Sequence, residues 1–178
     1  MMKISAKKIV LNGLMVALVF LATYFTHIPS PLPGGYFNLG DTAIFAAAIV
    51  LGRNSGLLAG ALGSFLADMA FGSFLFAPVT FVVKGFEGYI AGAIASCRSG
   101  KHAGELCRIM AVAAGAAVMV AGYFLAEATV LQLFDKTFGL AAAMLELPTN
   151  LAQGGLSAIV GYALSTLLLR VNVKRLLD

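Results

Sequence analysis

The fold class of this protein is decided by residues 40–71, which read GDTAIFAAAIVLGRNSGLLAGALGSFLADMAF. Two apolar runs, residues 40–51 and 55–71, flank a short polar break that contains Arg53 and Asn54. The apolar residues within each run are continuous, whereas strands of a membrane β-barrel alternate apolar and polar residues over about ten positions. Both runs therefore predict α-helices rather than strands.

The composition of the whole chain indicates a membrane protein. Of its 178 residues, 60% are apolar and 11% are charged, and the mean hydropathy is +0.94. A soluble domain carries about 25% charged residues. The shortage of polar surface excludes a soluble enzyme, a disordered chain and a disulfide-stapled secreted domain. We expect a single membrane domain over residues 1–178, because several runs are long enough to cross a bilayer.

The apolar runs predict an all-α integral membrane protein with a bundle of six transmembrane helices. Segment two is short: a helix over residues 38–51 would be about 21 Å long against a bilayer core of about 30 Å. Its outer end is therefore expected beside a cavity. Residues 138–147 are predicted to be an interfacial or re-entrant segment, and Pro148 to begin the last helix. The six segments are residues 8–26, 40–51, 55–71, 78–96, 107–133 and 148–170.

The basic residues predict the orientation. If six helices span the membrane and the N-terminus is inside, all but two of the 12 Lys and Arg residues lie on the inner side. Such a bias predicts cytoplasmic N- and C-termini. It also accounts for the pI of about 9.2 without a nucleic-acid partner. The inner residues are Lys3, Lys7, Lys8, Arg53, Arg98, Lys101, Arg108, Arg170, Lys174 and Arg175.

Polar and ionisable residues interrupt the apolar segments, where they are costly and face the bundle interior or a cavity by default. In the predicted topology they all lie toward the outer side, which indicates an outward-facing pocket. An aromatic residue such as Tyr36 would supply a wall for a planar ligand. The candidate substrate-binding residues are Tyr36, Asn38, Asp41, Asp68, Lys84, Glu87, Glu127, Asn150 and Gln153.

The first of these residues can also be explained by structural roles that involve no substrate. Asn38 and Asp41 are three residues apart at a helix start, which is a variant of the capping box. Lys84 and Glu87 have the i, i+3 spacing of a pair on one helix face. Asp68 and Lys84 could instead bridge two helices. Direct contact with substrate stays open for each.

Structural explanations also stand beside the later residues. Glu127, and Glu146 just before the last segment, could lie at the membrane interface rather than in a pocket. Asn150 and Gln153 could join helices through side-chain hydrogen bonds. The sequence leaves both alternatives open.

Small residues four positions apart allow helix backbones to approach closely in lipid. Most of these pairs predict packing within the bundle, including Gly56 with Gly60 and Gly88 with Gly92. A further pair, Gly13 and Ala17, lies on segment one.

Nothing in the sequence supports catalysis or a resident cofactor. Both histidines lie at or beyond segment ends, so no serine–base dyad is predicted inside the bilayer. A Walker A loop is absent, so this chain is not expected to hydrolyse ATP. Cys97, His102 and Cys107 form a weak pattern for metal binding. We expect no enzyme activity, no metal site and no cofactor bound by this chain.

The ordered motifs resemble one transporter family. They are Gly35-Tyr36-Phe37-Asn38-Leu39-Gly40-Asp41, then Ile44-Phe45 and Leu51-Gly52, then Leu66-Ala67-Asp68, Ala77-Pro78-Val79-Thr80 and Lys84-Gly85. Together with the six-segment plan, they are similar to the substrate-binding S components of energy-coupling factor (ECF) vitamin transporters. The subgroups that look most similar handle pyridoxine-like vitamins or the hydroxymethylpyrimidine precursor of thiamine.

The resemblance implies a binding subunit in a prokaryotic cell membrane, with a small vitamin as substrate. Its partners would be a transmembrane scaffold subunit and two ATPase subunits that use ATP. S components often contact the scaffold through an Ala-xxx-Ala pattern on helix one, where this chain has Gly13 and Ala17. Gly13 could instead pack inside its own bundle. The competing functions are a stand-alone small-molecule carrier and an intramembrane enzyme.

Overall fold

The computed structural model describes residues 6–30, 35–97 and 103–171. Within these ranges the chain folds into α-helices and one two-stranded antiparallel hairpin, so the predicted all-α class is confirmed. A π-helical turn, Ala126–Val130, and a 3₁₀ turn, Leu131–Leu133, follow α5. The elements are α1 Ala6–Phe25, β1 Ile28–Pro29, β2 Tyr36–Phe37, α2 Gly40–Leu51, α3 Arg53–Phe71, α4 Ala77–Ala95, α5 Ala103–Leu125 and α6 Leu140–Arg170.

Three stretches of the described residues are long and apolar enough to cross a membrane: α1, Gly104–Leu133 and α6. Helix α2 is apolar but shorter, and α3 and α4 have 19 residues each. The count of six spans and the cytoplasmic termini therefore stay predictions. Several residues used for the orientation, and His102, lie outside the described ranges: Lys3, Arg98, Lys101, Lys174 and Arg175.

Helix α2 lies at the centre of the bundle. Its 12 residues give a length of about 18 Å, and ten of them are buried. Ile44 and Phe45 have no exposed surface. A helix that is apolar on all sides is stable only when neighbours cover it, and α1, α3, α4 and α6 pack around this one. The short second helix is thus explained by burial within the protein.

Helices α3 and α4 approach closely through glycine. A Cβ atom on Gly56 would lie 2.6 Å from the carbonyl oxygen of Gly88, which is closer than real Cβ contacts. On the same interface, a Cβ on Gly60 would collide with the backbone carbonyl of Lys84. The predicted packing role of these small residues is confirmed, and it brings the polar residues of α3 and α4 toward the same interior.

The predicted start of the last helix at Pro148 is wrong. Helix α6 begins at Leu140, directly after Gly139 with its φ of +140°, and contains Pro148 in its interior. Residues 140–147 are mostly Ala, Leu and Met, which are strong helix formers. A proline inside a membrane helix removes one hydrogen bond, and packed neighbours can satisfy the freed carbonyl. Residues 138–147 therefore include the first two turns of α6 rather than a re-entrant segment.

The loop between α1 and α2 forms a hairpin that the sequence did not predict. Ile28 pairs with Phe37, and Pro29 pairs with Tyr36. The backbone N–H of Leu39 donates to the hydroxyl of Thr26 at 2.8 Å, which ties the hairpin to the end of α1. The hairpin therefore lies over one end of the bundle.

Candidate substrate-binding site

The polar residues meet at one end of the bundle, here called the pocket end. This end is formed by the last turns of α1, α3 and α5, the first turns of α2, α4 and α6, and the hairpin. It contains a cavity of about 30 Å³. The lining residues are Gly35, Tyr36, Asn38, Asp68, Phe76, Thr80, Tyr123, Glu127, Glu146, Asn150 and Gln153.

Six of the nine candidate residues line this cavity. They come from five separate parts of the chain, because β2 supplies Tyr36, the turn before α2 supplies Asn38, α3 supplies Asp68, the π turn supplies Glu127 and α6 supplies the two amides. The other three candidates, Asp41, Lys84 and Glu87, are buried but do not line the cavity. The predicted set thus divides into a cavity wall and a group behind that wall.

The group behind the wall is a buried ionic cluster. Lys84 Nζ donates to Asp41 Oδ1 and lies 3.2 Å from Glu87 Oε2. All three side chains are almost fully enclosed. The predicted pairing of Lys84 with Glu87 is confirmed. Lys84 forms no ion pair with Asp68 among the described residues, so that alternative is wrong.

The capping role considered for Asp41 is also wrong. The N-cap residue of α2 is Leu39, whose side chain makes no capping hydrogen bond. The Asp41 carboxylate instead accepts hydrogen bonds from Lys84 and, at 2.9 Å, from Gln153 Nε2. The Asn38 side chain accepts from the backbone N–H of Gly40 at 2.8 Å. Asp41 therefore joins α2 to α4 and α6.

Gln153 connects the ionic cluster to the cavity wall. Its Oε1 atom accepts from the backbone N–H of Asn38 at 2.9 Å and from Asn38 Nδ2 at 3.3 Å. Because Nε2 donates to Asp41 and Oε1 accepts from Asn38, only one orientation of this amide satisfies both partners. The ionic cluster thus positions two amides of the wall without contacting the cavity.

The hairpin closes the cavity through Tyr36. Its hydroxyl donates to Asp68 Oδ1, and its ring packs edge-on against His27 and Phe71, with centroids 4.4 and 5.4 Å away. Burial, and secondly the charge of Asp68, raise the pKa of Tyr36 well above its ordinary value. The hydroxyl therefore keeps its proton and remains a donor to Asp68.

The opposite side of the cavity is built by α4 and α5. The hydroxyls of Thr80 and Tyr123 are 2.9 Å apart. One turn later, Glu127 lies in the π turn, a type of helix irregularity that is frequent at functional sites. Phe76, at the start of α4, adds an aromatic surface. The wall thus combines aromatic surface with polar groups, which is the composition that suits a small planar ligand.

Five lining residues were absent from the predicted set, and helical spacing could have revealed two of them. Tyr123 is four residues before Glu127, a spacing that places both on one face of a predicted helix. Glu146 precedes Asn150 by four residues and Gln153 by seven, which defines one face of α6. Assigning the helix start to Pro148 hid that pattern. The missed residues are Gly35, Phe76, Thr80, Tyr123 and Glu146.

The small-residue pair on α1 faces away from the bundle. Gly13 and Ala17 are exposed, and a Cβ atom on Gly13 would meet nothing within 4 Å among the described residues. The neighbouring Val10 and Leu14 are also exposed. The alternative in which Gly13 packs against another helix of its own bundle is therefore wrong.

Comparison with known proteins identifies the family. Residues 3–170 match the family described as the ECF-type riboflavin transporter, S component. The chain belongs to this family. It is therefore a multi-pass membrane protein of a prokaryote with a transport function, and the predicted S-component resemblance is confirmed. The prediction that it is not an enzyme is confirmed as well.

Two relatives extend the comparison. A protein of Pyrococcus woesei, described as an uncharacterized protein in the gap 3′ region, is 33% identical over 150 residues, which are 84% of this chain and 93% of that protein. The thiamine precursor transporter HmpT of Lactococcus lactis subsp. cremoris is 28% identical over 166 residues, which are 91% of this chain and 85% of that protein. HmpT fits the hydroxymethylpyrimidine-type subgroup predicted from the sequence.

Proposed function

We propose that this chain is the substrate-binding subunit of an ECF-type importer and that its substrate is a small water-soluble vitamin or vitamin precursor. The observation that carries this proposal is the cavity at the pocket end, because its wall combines aromatic rings with carboxylates and amides. Such a wall suits a polar heteroaromatic ring. Hydroxymethylpyrimidine and pyridoxine-like compounds have that chemistry, and the likeness to HmpT supports the former.

Size favours this substrate class over riboflavin, the compound in the family description. The cavity of about 30 Å³ holds roughly two water molecules, so any ligand must displace the hairpin or rotate side chains. A single ring requires less displacement than three fused rings with a ribityl chain. Riboflavin is therefore the second candidate, supported by the family description alone.

The proposed orientation has six membrane spans and cytoplasmic termini, with the pocket end facing outward. It follows from the basic residues of the sequence. In this orientation Gly13 is near the cytoplasmic end of α1, far from the cavity. The exposed stripe around Gly13 and Ala17 then contacts the transmembrane scaffold subunit, and two partner ATPase subunits supply the energy from ATP.

Two measurements test the function. Mass spectrometry of small molecules that co-purify with the detergent-solubilised protein should detect hydroxymethylpyrimidine or a pyridoxine-like compound. Uptake into vesicles should require the scaffold and ATPase subunits as well as this chain. Recovery of riboflavin alone would favour the second candidate. Uptake by this chain without the other subunits would support a stand-alone carrier.

A further inference from the structure

A polar pocket lies at the end of the bundle opposite the substrate cavity. It is formed where α1 and α3 begin and where α2 and α4 end, and its volume is about 310 Å³. Clefts that bind small molecules have volumes of about 300–1,000 Å³. The pocket is therefore large enough for a ligand, and the proposed function assigns it none.

The charged side chains that line this pocket are cations. Lys8 on α1 and Arg53 on α3 contribute to the wall, and no Asp or Glu of the described ranges does. Neither cation forms an ion pair with a described residue, because the two ion pairs found there both belong to Lys84. The Arg53 guanidinium instead lies 5.4 Å from the centre of the Tyr89 ring. The pocket thus carries two positive charges that can attract an anion.

The start of α3 adds hydrogen-bond donors to the pocket. The residue before the helix is Gly52, which has no side chain to cap it. The first backbone hydrogen bond of the helix joins the N–H of Gly56 to the carbonyl of Gly52 at 3.0 Å. The N–H groups of residues 53–55 therefore have no partner within the helix. Such an N-terminus favours anions, and phosphate groups in particular.

Ser55 gives independent support for a ligand at this position. It lines the pocket and is only 2% exposed, yet its hydroxyl forms no hydrogen bond with another described residue. Most buried polar side chains in proteins have at least one partner. An anion in the pocket would supply the acceptor for this hydroxyl.

The geometry of the pocket is fixed by two glycines. Gly52 has a φ of +98°, which lets α3 begin one residue after α2 ends. A Cβ atom on Gly92 would lie 2.4 Å from the Cα atom of Arg53, so the backbone of α4 touches the start of α3. The donors at the start of α3 are therefore held in place before a ligand binds.

The pocket borders an apolar surface of α1. This helix is long and apolar enough to cross a membrane, and Lys8 is in its first turn. The next two residues, Ile9 and Val10, are 60% and 69% exposed, so they can contact acyl chains when α1 lies in a bilayer. A ligand that carries both a phosphate and acyl chains would match the pocket and the surface beside it. Inorganic phosphate or an acidic side chain would match the pocket alone.

We propose that this pocket binds the phosphate group of an anionic phospholipid. Lys8 and Arg53 pair with the phosphate oxygens, the first N–H groups of α3 and the Ser55 hydroxyl donate to them, and the acyl chains lie along α1. In the orientation proposed above, the lipid belongs to the cytoplasmic leaflet, where basic pockets between transmembrane helices bind anionic headgroups. The site is independent of the substrate, because it lies at the other end of the bundle.

A comparison of two lipids tests the binding. The full chain, purified in detergent, is mixed with phosphatidylglycerol or with phosphatidylcholine that has the same acyl chains, and native mass spectrometry measures the fraction of protein that keeps one lipid. Phosphatidylglycerol should bind at least tenfold more tightly, because it carries a net negative charge and phosphatidylcholine does not. Equal binding of the two lipids to a folded protein would overturn the proposal.

A matched pair of lysine variants assigns the binding to the pocket. Lys8→Gln removes a cation from the wall and should weaken phosphatidylglycerol binding roughly tenfold. The control is Lys7→Gln, because Lys7 is the preceding residue, is exposed and does not line the pocket; it should leave the affinity nearly unchanged. Both lysines are exposed, so both variants should fold. Equal losses in the two variants would show a general attraction between lipid and a basic helix end, and would overturn the assignment.

Two further measurements separate the lipid from other anions. Millimolar inorganic phosphate should leave the bound phosphatidylglycerol in place, whereas displacement of the lipid would identify free phosphate as the ligand and overturn the lipid assignment. Lys8→Gln should still co-purify with the scaffold subunit. A variant that keeps the lipid but loses the scaffold would show that the pocket instead receives an acidic side chain of that partner.

Discussion

Replacing Lys84 with methionine tests the separation between the cavity wall and the ionic cluster behind it. Lys84 is 2% exposed and forms ion pairs with both Asp41 and Glu87. Removing one partner of a buried ion pair leaves an uncompensated charge and costs about 3–5 kcal/mol. For a chain of this length, each kcal/mol lowers the melting temperature by roughly 2–4 °C. The Lys84→Met protein without ligand should therefore melt roughly 6–20 °C lower.

The two cysteines provide the assay, because the chain has no tryptophan for intrinsic fluorescence. Cys107 is buried and Cys97 is exposed. In a Cys97→Ser background, a thiol-reactive dye becomes fluorescent only as unfolding exposes Cys107. Lys136→Met, at an exposed lysine, is the matched control and should melt like the parent protein.

A second substitution shows whether the loss is electrostatic. Adding Glu87→Gln to Lys84→Met removes one of the two carboxylates left without a cation, so part of the lost stability should return. A Lys84→Met protein that melts within about 2 °C of the parent would refute the reasoning. An equal loss in the double variant would show that packing, rather than charge, explains the effect.

Three further predictions concern the ligand, the partner and the topology. Asp68→Ala should lower ligand affinity roughly tenfold to a hundredfold, because a hydrogen bond to a charged group contributes about 1.5–3 kcal/mol. Ligand titration and thermal melting on one sample test this, and a loss of unfolding free energy larger than the loss of binding free energy would contradict it. Gly13→Leu should leave ligand binding intact and abolish both co-purification with the scaffold subunit and uptake into vesicles, because the larger side chain prevents two helices from approaching closely. Normal uptake by this variant would exclude the proposed contact between α1 and the scaffold. A cysteine placed at position 102 should resist impermeant thiol reagents in intact cells, and labelling from outside would reverse the proposed orientation.

Much of the fold followed from the sequence because glycine, proline and charge interrupt the apolar runs clearly. The bounds of Gly40–Leu51 were predicted without error, and the ends of α3 and α4 were within two residues. Pro148 misled the prediction because its local preference for a first helical turn was overridden by the helix formers before it. Local propensity is a weak guide when tertiary packing favours a longer helix.

The sequence predicted which residues belong to the site more completely than it predicted which of them contact one another. The cost of burying charge in an apolar run identified every member of the ionic cluster. The pairing of Lys84 with Asp41 could not be deduced, because Asp41 lies 43 residues earlier and the contact depends on how α2 and α4 pack. Spacing along one helix did reveal the pairing with Glu87. Contacts between distant segments thus needed the three-dimensional structure.

The tightness of the cavity has a kinetic consequence. A space of about 30 Å³ is smaller than a vitamin ring, so we expect binding to require an open form in which Tyr36 has left Asp68. Apparent affinity then falls in proportion to the fraction of open molecules. If opening precedes binding, the observed association rate should level off as ligand concentration rises. The plateau would report how often the hairpin opens, and capture from dilute surroundings would be limited by that motion.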